Sequence, residues 1–116
     1  MDLRNVIKEA VRQSSKANYV FRLGAVIFNN DRVIGAGYNR VSENGAICAE
    51  LLAIKKSPRK LLKGASILVV RVRKSGTLGL SKPCERCQKI IIKSGIAKVI
   101  YSTPNGWESW NTSEEI

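Results

Sequence analysis

The chain has 116 residues, 44% of them hydrophobic and 25% charged, and its 20 Lys or Arg against 9 Asp or Glu give a net charge of +11. This length predicts one domain whose core needs no disulfides, and no apolar run is long enough to cross a bilayer, which excludes a membrane-spanning class. The three cysteines are an odd number and no secretory signal is recognised, so we expect free thiols and a cytoplasmic protein.

The positive charge is concentrated in the second half of the chain. Thirteen Lys or Arg and one acid, Glu85, lie between residues 51 and 107. Such a field attracts phosphate-bearing partners, although lysines also serve simply to keep a small protein in solution. The densest run, residues 55–63, carries five cations and is interpreted either as a solvated helix end or as a phosphate-facing patch.

The first predicted elements are a helix and a β-hairpin. Asp2 can cap the helix, whose apolar residues recur at the spacing of one buried stripe. These residues are Leu3, Val6, Ile7, Ala10 and Val11. Two segments rich in aromatic and β-branched residues, 19–28 and 32–38, predict strands joined by a turn of Asn and Asp. Gly37 in the second strand is predicted to let the backbone approach a ligand, because Asn39 follows it.

The middle of the chain predicts a helix and a buried strand. A flexible loop over residues 40–46 is expected to lead into a helix over about 47–56, which Pro58 stops. The nearly continuous apolar run 65–72 predicts a central strand that is covered on both faces. A glycine-bearing loop over 74–79 is expected to follow it.

The last predicted elements are one helix and one strand. The helix begins at Pro83 and ends at Ser94, and residues 97–101 form the strand. Strands that alternate with helices predict parallel pairing in an α/β layered domain. The segment after that strand contains Trp107 and Trp110, which we expect to pack on the domain or on a neighbouring subunit.

All three cysteines fall in two short segments. Cys48 stands two residues before Glu50, and Cys84 and Cys87 form a Pro-Cys-x-x-Cys motif. Zinc favours thiolate ligands, and because the chain has no His and no fourth Cys, the fourth tetrahedral position is left open for water. At a helix N-terminus Cys48 and Glu50 can converge on one ion, and the exposed N–H groups there favour a thiolate. The spacing therefore predicts a catalytic zinc site with a proton carrier.

Each of these features alone has a more ordinary interpretation. A Cys-x-x-Cys motif is more often a redox pair or half of a structural zinc site, and Cys48 alone could be a small core residue. Glu50 alone could be a solvated helix residue. Their combination favours catalysis, because a structural zinc site has no use for a carboxylate beside an open position. The non-enzymatic alternative is a small basic module, stabilised by zinc, that binds nucleic acid.

The Cys-Ala-Glu and Pro-Cys-Glu-Arg-Cys segments resemble the signature of the zinc-dependent cytidine and deoxycytidylate deaminases, in the variant with three cysteine ligands. The resemblance extends over about residues 3–102, and the segments that carry it outside the two motifs are 23–27, 37–39 and 93–101. It implies a three-layer α/β/α cytidine-deaminase-like domain with a mixed sheet over residues 1–102. Residues 103–116 are left as a C-terminal tail of unassigned structure.

The resemblance also implies a role for individual residues. Zinc is expected to be held by Cys48, Cys84 and Cys87, and Glu50 is expected to move protons during the hydrolysis of cytosine to uracil and ammonia. Substrate is expected to contact Asn39, the backbone N–H of Ala49, and Ser81. Three thiolates bring extra negative charge, which Arg86 and the two helix N-termini can offset. The loop over 74–79 is expected to border the active-site mouth.

The substrate is the least determined part of this interpretation. A cysteine as first ligand is better known among small free-nucleoside deaminases, whereas the net charge favours a phosphate, with Arg40, Lys82 and residues 55–63 as candidate contacts. We predict a deaminase of a free cytosine nucleotide or nucleoside, of the deoxycytidylate type, that forms a homo-oligomer and has no membrane partner. Deamination of adenosine in tRNA or of cytosine in single-stranded DNA is the enzymatic alternative.

Overall fold

The computed structural model describes residues 3–30, 32–43 and 45–114, without the side chains of Ser42 and Glu114. Asp2, predicted to cap the first helix, lies outside these residues. The elements in chain order are α1 (Arg4–Ser14), β1 (Arg22–Asn29), β2 (Arg32–Tyr38), β3 (Arg40–Ser42), β4 (Gly45–Ile47), α2 (Ala49–Lys56), α3 (Arg59–Leu62), β5 (Ser66–Val72), β6 (Leu78–Gly79), α4 (Glu85–Ser94), β7 (Lys98–Thr103), β8 (Gly106–Asn111) and a 3₁₀ turn (Thr112–Glu114).

A mixed sheet in the order β2-β1-β5-β7-β8 forms the middle layer, with the short β6 paired to β5. Only β5 and β7 pair in parallel among these strands, and the other neighbours are antiparallel. Helix α1 packs on β1, β2 and β5, whereas α2 packs on the same strands from the side where it also contacts α4. The predicted three-layer α/β/α domain with a mixed sheet is confirmed.

The central strand β5 supplies both halves of the core. Ile67 and Val69 belong to a cluster shared with α2 and α4, and Leu68 and Val70 belong to a second cluster shared with α1. All four side chains are fully buried. Successive residues of a strand point to opposite faces, so a continuous apolar run is what a strand covered on both sides requires. The prediction for residues 65–72 is therefore confirmed.

The N-terminal elements differ from prediction at two points. Val6 and Ala10 are buried under α1, but Val11 is 38% exposed, so the predicted buried stripe is wrong at that residue. The strand predicted from residue 19 begins at Arg22, which is the first residue of β1 to pair with β5. The three residues before it bend away from the sheet, and their side chains are exposed.

The segment predicted as a flexible loop over 40–46 is a small hairpin of β3 and β4. The side chain of Asn18 anchors it, donating a hydrogen bond to the carbonyl of Val41 and accepting one from its N–H, both at 3.0 Å. This contact joins residues 23 positions apart, so a pattern of neighbouring residues cannot reveal it.

The C-terminal segment completes the sheet. Strand β8 pairs antiparallel with β7 through a two-residue turn, and Trp110 opposes Val99 and packs against the core. The expectation that the tryptophans pack on the domain is confirmed for Trp110, whereas Trp107 is 37% exposed. None of the helices in the described ranges is both long and apolar enough to span a membrane.

Candidate active site

Two helix N-termini bring the three cysteines together. Cys48 is the N-cap of α2, Cys84 is the N-cap of α4, and Cys87 lies in the first turn of α4. Their sulfur atoms all lie within 4.8 Å of one another. Both helices begin two residues later than predicted, at Ala49 and Glu85, so Cys48 and Cys84 lie at the N-caps and not inside the first turn.

Glu50 lies in the first turn of α2, beside this cluster. It is only 5% exposed, yet it borders the cavity that Cys48 and Cys84 also line. Burial raises the pKa of Glu50 to about 7, because desolvation penalises the carboxylate, and the nearby Cys48 adds to the effect. A carboxyl group that titrates near neutrality can both accept and donate a proton at physiological pH.

The electrostatics of the cluster favour ionisation of Cys48. A hydrogen bond from Cys87 and the positive charge of Arg86 lower the pKa of Cys48 to about 6, against the opposing effect of burial. The same hydrogen bond raises the pKa of Cys87, which keeps its proton while Cys48 is ionised. The first thiolate therefore forms at Cys48, where the N-terminus of α2 also stabilises negative charge.

The three thiols fit a zinc ion. Tetrahedral ligands at the usual zinc–sulfur distance lie about 3.8 Å apart, so a separation within 4.8 Å needs inward movement of at most about 1 Å. Cys87 is buried, Cys48 is partly exposed and Cys84 is exposed, so the cluster is open on one side. That side faces the cavity, as a site that keeps one coordination position free requires. Both helix N-termini and Arg86 offset the charge of three thiolates.

A cavity of about 530 Å³ adjoins the cluster and is open to solvent. This volume lies within the range that ordinarily holds small-molecule ligands. The residues that line it are Tyr19, Phe21, Leu23, Asn39, Arg40, Val41, Ala46, Ile47, Cys48, Ala49, Glu50, Lys82 and Cys84. Most of these side chains are apolar, and the two cations, Arg40 and Lys82, are exposed.

Asn39, which was predicted to contact substrate, lines this cavity, but its amide group is already bonded to the backbone. Its Oδ1 accepts a hydrogen bond from the N–H of Leu23 at 2.8 Å, and its Nδ2 donates one to the carbonyl of Phe21 at 2.6 Å. Asn39 therefore links the residue after β2 to the start of β1 through two hydrogen bonds, and these bonds hold this part of the cavity wall in place.

Ser81 does not line the cavity. It is 2% exposed, and its hydroxyl donates to the carbonyl of Val69 and accepts from the N–H of Ser102, both at 2.7 Å. The geometry gives Ser81 a structural role, so the expectation that it contacts substrate gains no support.

Two further expectations about the cavity are wrong. None of residues 74–79 lines it, because this loop folds back on the end of β5 through β6. Gly37 does not face a ligand either. A Cβ atom there would lie 2.6 Å from the N of Ala53 and 2.8 Å from the O of Ala49, so the close approach is that of the α2 backbone.

Tyr19, Phe21 and Val41 line the cavity but were not predicted as site residues. The rings of Tyr19 and Phe21 are 6.0 Å apart, and the guanidinium of Arg71 lies 4.4 Å from the centre of the Phe21 ring. The sequence signal for Tyr19 and Phe21 was their position between a helix and a glycine-containing strand. Periodicity alone assigns these two aromatic residues to the strand itself.

Comparison with known proteins places this geometry in a family. The model of the cytidine and deoxycytidylate deaminase zinc-binding region matches residues 2–103. Cytidine deaminase from Burkholderia pseudomallei superposes with a TM-score of 0.76 at 22% identity, over 98% of this chain and 95% of that one. The dCMP deaminase of cyanophage S-TIM5 superposes with a TM-score of 0.64 at 20% identity, over 84% of this chain and 79% of that one. No curated protein gives a significant match.

The two superpositions, at such low identity, show a shared fold. The family model is stronger evidence of kinship than the superpositions, because it spans nearly the whole chain. The three thiols that it covers also form a cluster suited to zinc. The chain belongs to the cytidine and deoxycytidylate deaminase family, and its chemistry is zinc-dependent hydrolytic deamination.

Proposed function

We propose that this protein hydrolyses the 4-amino group of cytosine in a free pyrimidine nucleotide of the deoxycytidylate type. One observation carries the proposal: the buried carboxyl of Glu50 lines the same cavity as Cys48 and Cys84, two of the three clustered thiols, and the exposed cations of that cavity are Arg40 and Lys82. A carboxyl group beside the cluster supports catalysis over a purely structural zinc site. The two cations support a substrate that carries phosphate.

In the proposed reaction Cys48, Cys84 and Cys87 would hold zinc, which when bound would supply Lewis acidity to the attacking water. Glu50 accepts a proton from the attacking water, whose oxygen forms a bond to C4 of the cytosine ring. Glu50 gives this proton to N3. It then takes the second proton from the new C4 hydroxyl and passes it to the amino group, which leaves as ammonia when the bond between C4 and the amino nitrogen breaks. Water and cytosine are thereby converted to uracil and ammonia, with no other reactant.

We assign the orientation of the substrate to one backbone N–H group and to residues that line the cavity. The N–H of Ala49 is at the first position of α2, where helical N–H groups lack an intrahelical acceptor, and we assign it to the base. Asn39 lines the cavity, which supports a sugar contact if one of its backbone hydrogen bonds is shared. For Ser81 the same role stays a prediction that the buried hydroxyl does not favour.

A neutral nucleoside is the second candidate. It is favoured by the apolar side chains that make up most of the cavity wall and by the solvent exposure of both cations, since exposed charges are screened and contribute little. If Arg40 and Lys82 contact a phosphate, kcat/KM should be higher for the nucleotide than for the nucleoside, and this difference should shrink as salt is added.

The decisive experiment compares kcat/KM for deoxycytidine and its monophosphate at several salt concentrations, on protein whose zinc content has been measured. We expect about one zinc per chain, a preference for the monophosphate, and a decline of that preference with salt. Replacing Arg40 and Lys82 together by Gln should lower kcat/KM for the monophosphate about tenfold and leave deoxycytidine unaffected. Lys74→Gln, which removes a charge away from the cavity, is the matched control.

Three results would redirect the proposal. Equal, salt-independent values for the two substrates would identify a nucleoside deaminase. Turnover of only tRNA or single-stranded DNA would establish the nucleic-acid alternative. Protein that holds zinc but turns over none of these substrates would point to the non-enzymatic module.

We also propose a homo-oligomer. Strand β8 is an edge strand of the sheet, and Trp107 on it is 37% exposed. Exposed edge strands and aromatic side chains are common elements of subunit interfaces. Light scattering on the purified protein, compared with a Trp107→Lys variant, tests this; a monomer at assay concentrations contradicts it.

A further inference from the structure

Most of the protein's net charge lies in one part of the helical layer. Residues 54–63 and 85–98, here called the basic layer, contain nine Lys or Arg and a single acid, Glu85. The remaining residues contain eleven Lys or Arg and eight acids, so the basic layer holds +8 of the net charge of +11. Glu85, the one acid in the layer, lies 3.5 Å from Lys89 and is already counted in this net charge.

The two segments of the basic layer form one surface. The N–H of Gly64, just after the first segment, donates a hydrogen bond of 2.8 Å to the carbonyl of Gly95 in the second. A second cavity, of about 590 Å³ and open to solvent, lies where α2, α3 and α4 meet. Its lining residues are Ile54, Lys55, Ser57, Arg59, Leu62, Ile90, Lys93 and Ser94, which include three cations and no carboxylate.

Within the basic layer only Arg86 and Cys87 belong to the thiol cluster, and the second cavity with its cations is separate from the catalytic cavity. The two cavities share no lining residue. The thiols lie at the N-termini of α2 and α4, whereas the second cavity is lined by Lys55 and Lys93 near the C-termini of the same helices. At the rise of an α-helix, the eight residues of α2 separate the two ends by about 12 Å.

We propose that the basic layer binds nucleic acid through its phosphate backbone. Its cations extend well beyond the second cavity and exceed what one small phosphate can contact, which fits a chain of regularly spaced phosphates. A second copy of this protein would bring the same nine cations against themselves, so electrostatic repulsion disfavours a symmetric dimer through this face. The proposal is independent of the substrate of the catalytic site.

A membrane surface fits this layer less well. Binding in the plane of a bilayer requires an amphipathic helix with a continuous apolar face. Here the large apolar side chains that are exposed are Leu61, at 42%, and Ile92, at 39%, and they lie on different helices. Single exposed apolar residues of this kind are ordinary on protein surfaces.

The composition of the layer also predicts how it binds. Neither segment contains Phe, Tyr or Trp, so the base stacking that proteins use to hold single strands is not available. Contacts to phosphates alone carry no sequence information. We therefore expect binding that is independent of sequence and at least as tight for a duplex as for the single strand of the same length, because the duplex has the higher charge density.

The test is fluorescence anisotropy of a labelled duplex of arbitrary sequence, and of its single strand, over a range of salt concentrations. Two triple variants with the same net charge are compared with the wild type. The layer variant carries Lys55→Gln, Arg59→Gln and Lys93→Gln. The control variant carries Lys8→Gln, Arg32→Gln and Lys74→Gln, all at exposed positions outside the layer.

If the three layer cations contact phosphates, the slope of log K against log salt falls by about 2.7 in the layer variant, since each lost contact removes about 0.9. The control variant should keep a slope close to that of the wild type. Activity on free nucleosides and nucleotides should be unchanged in the layer variant, because none of its three positions lines the catalytic cavity. Absence of deaminase activity in the wild type and in both variants would contradict the proposed reaction and would leave the DNA-binding result unaffected.

Several outcomes would overturn the proposal. Equal weakening in both triple variants would mean that net charge and not this surface binds DNA. Stronger binding to the single strand would contradict backbone-only recognition. Displacement of the duplex by stoichiometric inorganic tripolyphosphate would identify a small-anion site in the second cavity, and binding to anionic phospholipid vesicles without binding to the duplex would identify a membrane surface.

Discussion

The hydroxyl oxygens of Ser81 and Ser102 lie 2.9 Å apart, and both residues are buried. The hydroxyl of Ser102 donates to the carbonyl of Gly79 at 2.7 Å and accepts from the N–H of Arg71 at 3.0 Å. The pair thus joins β5, β6 and β7 at the point where the chain turns toward Cys84. Ser81 stands three residues before Cys84, so this buried network adjoins one thiol of the cluster.

Ser102→Ala is expected to destabilise the fold by about 1–3 kcal/mol, because the part-buried N–H of Arg71 and the buried carbonyl of Gly79 each lose a partner. Thermal or denaturant unfolding measures this. Ser109→Ala, at an exposed position of the adjacent strand, is the matched control and should change stability by less than about 0.5 kcal/mol. Equal effects in the two variants would show that the buried network contributes nothing.

Ser81→Ala separates a structural role from a substrate contact. We expect its melting temperature to fall while KM of the zinc-loaded enzyme stays at the wild-type value, because the hydroxyl is bonded inside the sheet. An increase in KM with unchanged melting temperature would restore the substrate contact that the family resemblance implies.

Gly37→Ala should disturb the catalytic helix. The new methyl group would lie 2.6 Å from the backbone N of Ala53, which forces α2 and the Glu50 that it carries away from β2. We expect a loss of stability above about 1 kcal/mol together with lower zinc content and activity. Gly64→Ala is the comparison, since its φ of +80° imposes backbone strain while no atom lies within 4 Å of the new methyl group. It should lower stability without lowering zinc content.

Glu50→Gln tests the proton carrier. Glutamine preserves the size of the side chain and its hydrogen-bonding capacity but cannot exchange a proton, so turnover should fall by about 10²–10⁴-fold. Zinc content and melting temperature should change little, because the thiols are untouched. Turnover close to the wild-type value would mean that another group moves the proton.

Glu9 provides a pH-dependent contribution to stability that is unrelated to catalysis. Its carboxylate accepts hydrogen bonds from Arg12 at 2.7 and 2.8 Å, and this contact lowers the pKa of Glu9 from 4.5 to about 2. A lowered pKa in the folded state means that the contribution is present above pH 4.5 and is lost as the pH falls toward 2. The difference in melting temperature between wild type and Glu9→Gln should disappear over that range.

Because Arg12 is exposed, the effect of Glu9 should be small and should shrink with added salt. A difference that grows as the pH falls, or that salt leaves unchanged, would contradict this explanation.

The sequence by itself determined the chemistry of the site. Cys48 and Glu50 are two positions apart, and Cys84 and Cys87 are three, so the geometry of two helix N-termini is enough to orient each pair. The buried strand β5 was equally predictable, because a strand covered on both faces must be apolar at its buried positions, here residues 67–70. These features depend on residues that are close in sequence.

Tertiary structure decided which other residues surround that chemistry. Asn18 pairs with Val41 across 23 positions and Ser81 with Ser102 across 21. The first contact turns a predicted loop into a hairpin, and the second bonds the hydroxyl of a predicted substrate contact inside the sheet. Gly37 likewise meets the α2 backbone only when β2 and α2 pack. Such contacts depend on the register of the strands and on where the helices pack. Both are set by burial of the whole core, so no short segment of the sequence reveals them.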